Sequence, residues 1–461
     1  MAARPLADRQ MNQRLEALIE EAGISHAGLA HRVNLRGRNV GLDLRYDKTS
    51  VSRWLRGQRP RGRTTTLIAE VLSEKLDRTV SLDEIGMAFG RSLASGVGLQ
   101  FAADVPSAVE NACELWLSDA DPRGLLFSST VSVSALIGPS RDWLIWAPDA
   151  DVARVGGCEV GASDVEAVRA TTQALGRLDC RFGAGHGRPI AVHYLNTFVS
   201  GLLRGSYSDG VGRTLFAEVA QLTMLAGYMA LDVDRPSLAQ RYYIQALRMT
   251  QMAGDRALGS LVLALGMSRL APDLGHPREV LQLALVAREG AHGLGAATKS
   301  ACHAAEARGY ALLGDARSCG TAAQRAVAAL GDAEQAVRGE GIMAFDRAFL
   351  AQELAHCYQD LNQPSESAHW AREALAAHPP HRVRQRVIVS LLLAGAEAER
   401  GNPRQASHAA TGALELMTGL RSHLCVRYLR DFTRRLRTCG DAAATEEFNA
   451  LLSDSGIPVQ A

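Results

Sequence analysis

The chain contains 461 residues, of which 47% are hydrophobic, 21% charged and 5% aromatic. This length provides for two or three domains, and the balance of apolar and charged residues is that of an ordinary globular protein. Aromatic residues are scarce while alanine and leucine dominate the second half, which favours helices over sheets. The N-terminal residues are polar and no run of about 18 apolar residues occurs, so we expect neither a signal peptide nor a membrane span.

Charge is distributed unevenly along the chain. The net charge is only +1, yet residues 32–63 contain ten basic side chains and two acidic ones. This segment therefore has a net charge of +8, and the remainder of the chain has −7. A local basic patch of this kind is typical of a surface that binds an anionic partner such as nucleic acid.

Motifs that support catalysis or metal binding are missing from the sequence. The eight cysteines have no partner at CxxC spacing, which favours reduced thiols in a cytoplasmic protein over a zinc site or a redox dithiol. Two glycine-rich stretches, 182–189 and 290–300, lack the context of a phosphate-binding loop, and we interpret the first as a turn between packed helices. We therefore expect no enzymatic activity, no metal and no cofactor.

Residues 10–90 have the pattern of a small all-helical domain. Apolar residues recur at helical spacing in five short segments, with capping residues or glycines at their boundaries. Ser25 is a suitable N-cap for the second helix, and Gly57 followed by Pro60 ends the third. We expect the second and third helices to form a helix-turn-helix pair.

The third helix carries the strongest functional signal. Residues 49–60 (TSVSRWLRGQRP) place Val51, Trp54 and Leu55 on one side, and small hydroxyls and long arginines on the other. This division is typical of a recognition helix that lies in the DNA major groove with its back against a small core. The sequence therefore predicts that the chain binds double-stranded DNA.

The motif segments 28–30 (GLA), 51–57 (VSRWLRG), 59–60 (RP) and 80–85 (VSLDEI) resemble the Xre/Cro-repressor family of helix-turn-helix domains. The resemblance implies that the third helix binds DNA. The connection between the second and third helices departs from the family pattern, because residues 34–48 replace the usual few residues. This Gly- and Arg-rich segment either follows the phosphate backbone or a minor groove, or is a tolerated surface insertion.

The polar residues of this region suit different parts of a DNA duplex. The first residues and the exposed face of the third helix would contact base edges in the major groove. Arg53 lies on this face, and an arginine there favours hydrogen bonds to guanine O6 and N7. The arginines that follow suit phosphate contacts, and the first N–H groups of the second helix suit a further phosphate. The predicted DNA-binding residues are Ser25, His26, Lys48, Thr49, Ser50, Ser52, Arg53, Arg56, Arg59, Arg61 and Arg63.

Residues 91–205 are predicted to be a linker and helical connecting region. Residues 91–98 have the composition of a linker. Helical patterns follow at 105–119, 164–182 and 193–203.

Residues 206–455 have the pattern of successive helix pairs. Each of five first helices has a small residue or a Gly-Tyr-type step near its middle, and each second helix has alanines at close-packing positions. A sixth pair, at 421–436 and 442–452, would cap the array. The separations of 39 and 43 residues between Gly227, Gly266 and Gly309 exceed the tetratricopeptide period of about 34 residues, so the repeats are degenerate. Such pairs stack into a superhelix with a concave surface.

The whole arrangement is similar to a group of actinomycete regulators, the NsdA-like proteins. In that group a helix of the DVEAVR type continues into LDxxFG, as residues 164–183 do here. The predicted fold class is thus all-α, with an N-terminal helix-turn-helix domain followed by an α-solenoid of tetratricopeptide-like repeats.

The leading functional hypothesis is a cytoplasmic, homodimeric transcriptional regulator that binds specific DNA sequences. The resemblance implies a repressor of development or secondary metabolism. Its repeat array would dimerise and sense a peptide, a small molecule or a partner protein. The alternative is a protein-interaction scaffold, in which the repeats bind the partner and the helix-turn-helix serves only for docking.

Overall fold

The computed structural model describes residues 12–39, 44–58, 60, 64–76, 78, 80, 84–85, 96–121, 124, 126, 131–273, 275–331, 345–438 and 441–457. Their regular structure is helical, and the helices follow one another in packed pairs through the second half of the chain. The predicted all-α fold with a solenoid-like array is therefore confirmed. The chain divides into two compact units, residues 1–96 and 97–461.

The helices described in the first unit are α1 (Gln13–Glu21), α2 (His26–Asn39), α3 (Lys48–Leu55) and α4 (Thr64–Leu76). Their apolar faces meet in one core, in which Leu15, Leu29, Val51 and Ile68 are fully buried. Most of the predicted fifth helix, residues 81–83 included, lies outside the described residues. Ile85 adds its side chain to the core.

Residues 97–205 belong to the same compact unit as the helix pairs, and they share its core. Their helices are α5 (Val105–Asp119), α6 (Ser134–Ile145), α7 (Ala162–Phe182) and α8 (184–203), the last with a π-helical turn at Leu195–Val199. α5 and α6 pack on the helix Pro236–Ala253, and α7 and α8 pack on the helix Asp209–Asp232.

The glycine-rich stretch 182–189 contains a break between two packed helices, as predicted, but the break is shorter than expected. α8 begins at Ala184, and Gly183 alone forms the break, with φ of +81°. The main chain at Arg421 passes so close that a Cβ on Gly183 would lie 2.3 Å from the Arg421 carbonyl oxygen. Both the left-handed conformation and this contact require glycine at the position.

Six helix pairs form the rest of the described second unit. They are α9 and α10 (Asp209–Asp232, Pro236–Ala253), α11 and α12 (256–273, Pro277–Gly290), α13 and α14 (Ala296–Leu312, Ala316–Gly331), α15 and α16 (Arg347–Asp360, Pro364–Ala377), α17 and α18 (Val383–Glu399, Pro403–Met417), and α19 and α20 (His423–Thr438, Ala442–Asp454).

The turns inside the pairs repeat one chemistry. In the first five pairs a residue with positive φ follows the first helix, and in four of them a proline begins the second. Proline fits this position because the first turn of a helix needs no N–H donor there. The left-handed residues are Asp234, Gly275, Gly314, Asn362 and Gly401.

The small residues predicted at packing positions are buried between helices. The alanines that the sequence pattern marks on the second helices, from Ala239 in α10 to Ala413 in α18, are at most 4% exposed. A Cβ on Gly227 would lie 2.8 Å from the Tyr243 ring, and one on Gly309 would lie 2.8 Å from the Leu281 backbone. These positions let the helices approach closely.

α10 is enclosed by the residues that precede the array. All its residues from Ser237 to Met252 are buried. Its polar side chains donate hydrogen bonds to main-chain oxygens of residues 97–102, 132 and 146–147. The donors are Gln240, Arg241, Gln245, Arg248 and Gln251.

The last pairs of the array return to the first pair. Arg384 in α17 contacts Asp179 in α7 at 2.8 Å and Asp232 in α9 at 3.4 Å, and all three side chains are buried. The Ser422 hydroxyl, just before α19, donates to Asp232 as well. The Arg421 N–H donates to Phe182 O at 2.8 Å. The array within this unit is thus closed by contacts between its two ends.

α9 is the one described helix whose length and hydropathy would allow it to cross a membrane. It is 72% buried inside the protein over that stretch and carries the ion-paired Asp232. A core helix of a soluble protein has the same properties, and this position in the core accounts for its apolar composition.

Candidate nucleic-acid interface

Capping interactions define both ends of α3, the predicted recognition helix. The Asp47 carboxylate accepts a hydrogen bond from the Ser50 N–H at 2.8 Å, and this bond lowers the pKa of Asp47. At the other end Gly57 has φ of +84°, and its N–H donates to Trp54 O. The Gln58 N–H donates to Arg53 O at 2.9 Å, which completes a Schellman motif.

Burial divides α3 into an inner and an outer side. Val51 is fully buried, and Trp54 and Leu55 are 3% and 8% exposed. This agrees with the apolar side expected from the sequence. The exposed residues of the helix and its C-cap are Lys48, Thr49, Arg53 and Arg56.

Two hydroxyls predicted to meet DNA are engaged within α3. The Ser50 hydroxyl donates to the Asp47 carboxylate at 2.8 Å, and the Ser52 hydroxyl donates to Lys48 O at 3.0 Å. Both residues are only partly exposed. The geometry gives Ser50 a capping role whether or not DNA is bound.

Arg53 and Arg56 extend from the same side of α3. Each bonds back to its own helix through Nε, Arg53 to Thr49 O at 3.5 Å and Arg56 to Ser52 O at 3.2 Å. Among the described residues, their terminal Nη groups have no hydrogen-bond partner. Two guanidinium groups with outward-facing donors therefore lie one helical turn apart.

Ser25 caps α2 as the sequence predicts. Its hydroxyl accepts a hydrogen bond from the Gly28 N–H at 3.1 Å. Ser25 is exposed, and His26, the first residue of the helix, is partly exposed. The first turn of α2 is therefore accessible to a phosphate.

The connection between α2 and α3 is shorter than predicted. α2 continues through Asn39 and α3 begins at Lys48, so residues 34–39 and Lys48 are helical, and the described residues between the helices, 44–47, are irregular. Arg36 faces α4, where its guanidinium pairs with Glu70 at 3.0 Å and with Glu74. Arg36 is thus part of the helix packing rather than of a loop that follows the DNA backbone.

A side-chain clamp holds the end of this connection, and it was not found by sequence reasoning. The Asn34 amide donates to Tyr46 O at 2.8 Å and accepts from the Tyr46 N–H at 2.9 Å. The Tyr46 ring meets Trp54 edge-on, with centroids 5.0 Å apart, and its hydroxyl lies 3.1 Å from the Thr64 hydroxyl. These contacts fix α3 against α2 and α4.

The acidic side chains of the unit that form ion pairs lie on other segments. Arg78 bridges Glu21 of α1 and Glu84, with N–O distances of 3.3 and 2.7 Å. Glu70 and Glu74 on α4 are paired with Arg36. The outer side of α3 therefore keeps the positive charge of Lys48, Arg53 and Arg56.

Some predicted residues fall outside the described part of the first unit. Arg59, Arg61 and Arg63, assigned to phosphate contacts, are among them, as are residues 40–43. No group of three or more His, Cys, Asp or Glu residues that could hold a metal occurs in the described ranges.

Comparison with known proteins gives one match to this unit. Residues 15–88 match the family model described as the SP15 N-terminal domain. The matched region begins within α1 and contains α2 to α4, and thus the whole candidate interface. The comparison with curated proteins found no match.

Proposed function

We propose that the protein is a transcriptional regulator that binds specific DNA sequences through α3. The observation that carries the proposal is the division of this short, doubly capped helix into a buried apolar side and an exposed basic one. Lys48 and Thr49 occupy its first turn, and Arg53 follows one turn later. The N-terminal part of a recognition helix is where base edges are contacted in helix-turn-helix complexes.

The supporting contacts suit phosphates. Arg56 lies at the end of α3, and the capped start of α2 offers backbone N–H groups next to Ser25. The clamp between Asn34 and Tyr46 holds α3 in a constant position. A rigidly held helix loses little entropy on binding, which favours specific contacts.

The repeat unit is proposed to control when this binding occurs. A tetratricopeptide-like array offers an interior surface for a ligand and outer helices for a second copy of the chain. Two recognition helices in a two-fold dimer would contact half-sites one helical turn of DNA apart. The resemblance to actinomycete regulators extends this proposal to repression in the cytoplasm.

Arg53→Ala tests whether α3 recognises bases. Preferred sites are first selected from genomic duplexes with the wild-type chain, and affinities are then measured at several salt concentrations. We expect Arg53→Ala to weaken binding to the selected site by about 1–3 kcal/mol and to leave binding to unrelated DNA almost unchanged. Arg56→Ala should weaken binding to both DNAs and reduce the salt slope by about 1.

Arg325→Ala provides the matched control, because Arg325 is an exposed arginine on α14 in the other unit. It should bind both DNAs like the wild type. If the wild-type chain selects no sequence from the genomic duplexes, the proposal of a specific regulator is wrong. A scaffold that only docks on DNA would then explain the basic helix better.

A further inference from the structure

A cavity of about 90 Å³ lies at the centre of the closed array, between the first helices of all six pairs. Its lining includes Tyr228, Arg269, Arg308, Glu353, His356 and Arg427. These side chains come from α9, α11, α13, α15 and α19, and Ile388 of α17 completes the set of six helices. The volume accommodates a few water molecules or one small ion or molecule.

Positive charge predominates in this cavity. Its lining contains three arginines and one glutamate, and Asp360, which pairs with Arg308, lowers the net charge of these groups to +1. Arg269 pairs with Glu353 at 2.6 Å, and Arg308 pairs with Asp360 behind the cavity wall at 2.5 Å. A guanidinium has five N–H donors. Among the described residues Arg269 donates one side-chain hydrogen bond, to Glu353, and the buried Arg308 Nε makes only the ion contact with Asp360, so donors remain on both arginines.

The neutral groups of the cavity do not offset this charge. His356 is 5% exposed, and its pKa is well below the usual value because burial and the nearby Arg308 and Arg269 disfavour its protonation. Its Nε2 lies 3.2 Å from the Tyr428 hydroxyl. The imidazole is therefore uncharged at neutral pH, and it shares a hydrogen bond with a second polar group that lines the cavity.

We propose that the centre of the array binds a small oxyanion, a phosphate or carboxylate group, through Arg269, Arg308 and Arg427. Arginine guanidinium groups bind such anions with charge-assisted hydrogen bonds. The anion would contact helices from pairs that are far apart in the sequence, and so it would stabilise the closed array.

The binding test uses the full chain and two probes, inorganic phosphate and acetate, at ionic strength held constant with potassium chloride. We expect at least one probe to raise the melting temperature of the second unit with a saturable concentration dependence. Arg427→Gln should weaken that binding at least tenfold. Arg325→Gln, which changes an exposed arginine of α14, should bind like the wild type.

A second variant guards against loss of folding. Arg269→Gln combined with Glu353→Gln removes both charges of one ion pair and keeps two polar side chains that can bond to each other. This double variant should fold, and it should bind the probe at least tenfold more weakly than the wild type does. If neither probe gives a saturable shift, or if Arg427→Gln and the double variant bind like the wild type, the cavity holds only water and the inference is wrong.

The role of this anion as a regulatory signal rests on the proposed function, whereas its binding does not. DNA affinity is therefore measured separately with and without the probe. A chain that selects DNA but binds no anion retains the proposed function and overturns this inference. A chain that binds the anion but selects no DNA retains this inference and overturns the proposed function.

Discussion

His378, in the turn after α16, shows how the array uses neutral histidines as core residues. It is 2% exposed, its ring meets Phe349 edge-on, and its Nε2 lies 3.2 Å from the Gln352 amide oxygen. Burial, together with Arg382, lowers its pKa from 6.5 to about 4, and Arg386 acts in the same direction while Asp346 opposes both. The protonated form is therefore strongly disfavoured in the folded chain.

This shift predicts a loss of stability on mild acidification. Because the pKa of His378 is lower in the folded state, the unfolded chain binds a proton more readily between pH 6.5 and about 4. Stability is thus complete above pH 6.5 and falls as the pH falls through this range. At pH 5 the loss attributable to His378 should be about 2 kcal/mol in the free energy of unfolding.

Denaturant titrations of the second unit at pH 7.5 and pH 5 measure this effect. His378→Gln removes the titrating group and keeps a polar side chain. The variant should therefore lose about 2 kcal/mol less than the wild type between the two pH values. An equal loss in both proteins would contradict the assignment.

At the scale of single elements, the ends of α3 are defined by its own sequence. The Asp47 cap, the Ser50 partner and the Gly57 stop are local contacts, and the helix between them has only eight residues. Short helices are marginal on their own, so caps and packing both matter. The two hydroxyls of α3 were assigned to DNA because a sequence pattern does not show which of them bond within the helix.

Asp47→Ala should lower the free energy of unfolding of the first unit, because it leaves the Ser50 N–H without its side-chain acceptor. Asp47→Asn is the matched control, since asparagine caps equally well. Denaturant titrations of the three proteins measure the difference in the free energy of unfolding. If alanine and asparagine have the same effect, the cap observed at Asp47 does not stabilise the helix.

At the scale of the whole molecule, a buried cluster of charged side chains closes the array. Arg384 contacts two carboxylates that lie 205 and 152 residues away in the sequence, and its guanidinium lies 4.4 Å from the centre of the Tyr228 ring. Burial disfavours its charged form, but Asp179, Tyr228 and Asp232 keep the pKa of Arg384 well above its usual value. Breaking such a cluster leaves an uncompensated buried charge.

Arg384→Met should therefore destabilise the second unit by about 3–5 kcal/mol. Replacing Asp179 by asparagine in the same chain should recover part of the loss, because one unpaired carboxylate is removed. Arg404→Met, at an exposed position of α18, should have little effect. Thermal and denaturant unfolding of the four chains test this, and a small effect of Arg384→Met would show that the closing cluster contributes little.

Much of the fold could be predicted because it depends on local rules. Helical spacing placed the buried side of α3 and most of the helix pairs, and glycine, asparagine or aspartate before proline marked the turns within pairs. The clamp between Asn34 and Tyr46 could not be predicted in this way. It joins a helix to an irregular segment, and no periodic pattern relates two such residues.

By itself the sequence determined most of the helices, the turns within the helix pairs and the apolar faces. These properties depend on neighbouring residues and on a period of 3.6 residues, so they are visible in one chain. Only the tertiary structure decided that residues 97–205 pack into the same unit as the array, that Arg36 faces α4, and that the ends of the array meet at Arg384. The reason is that closure depends on the sum of the rotations between successive pairs, and no local pattern records that sum.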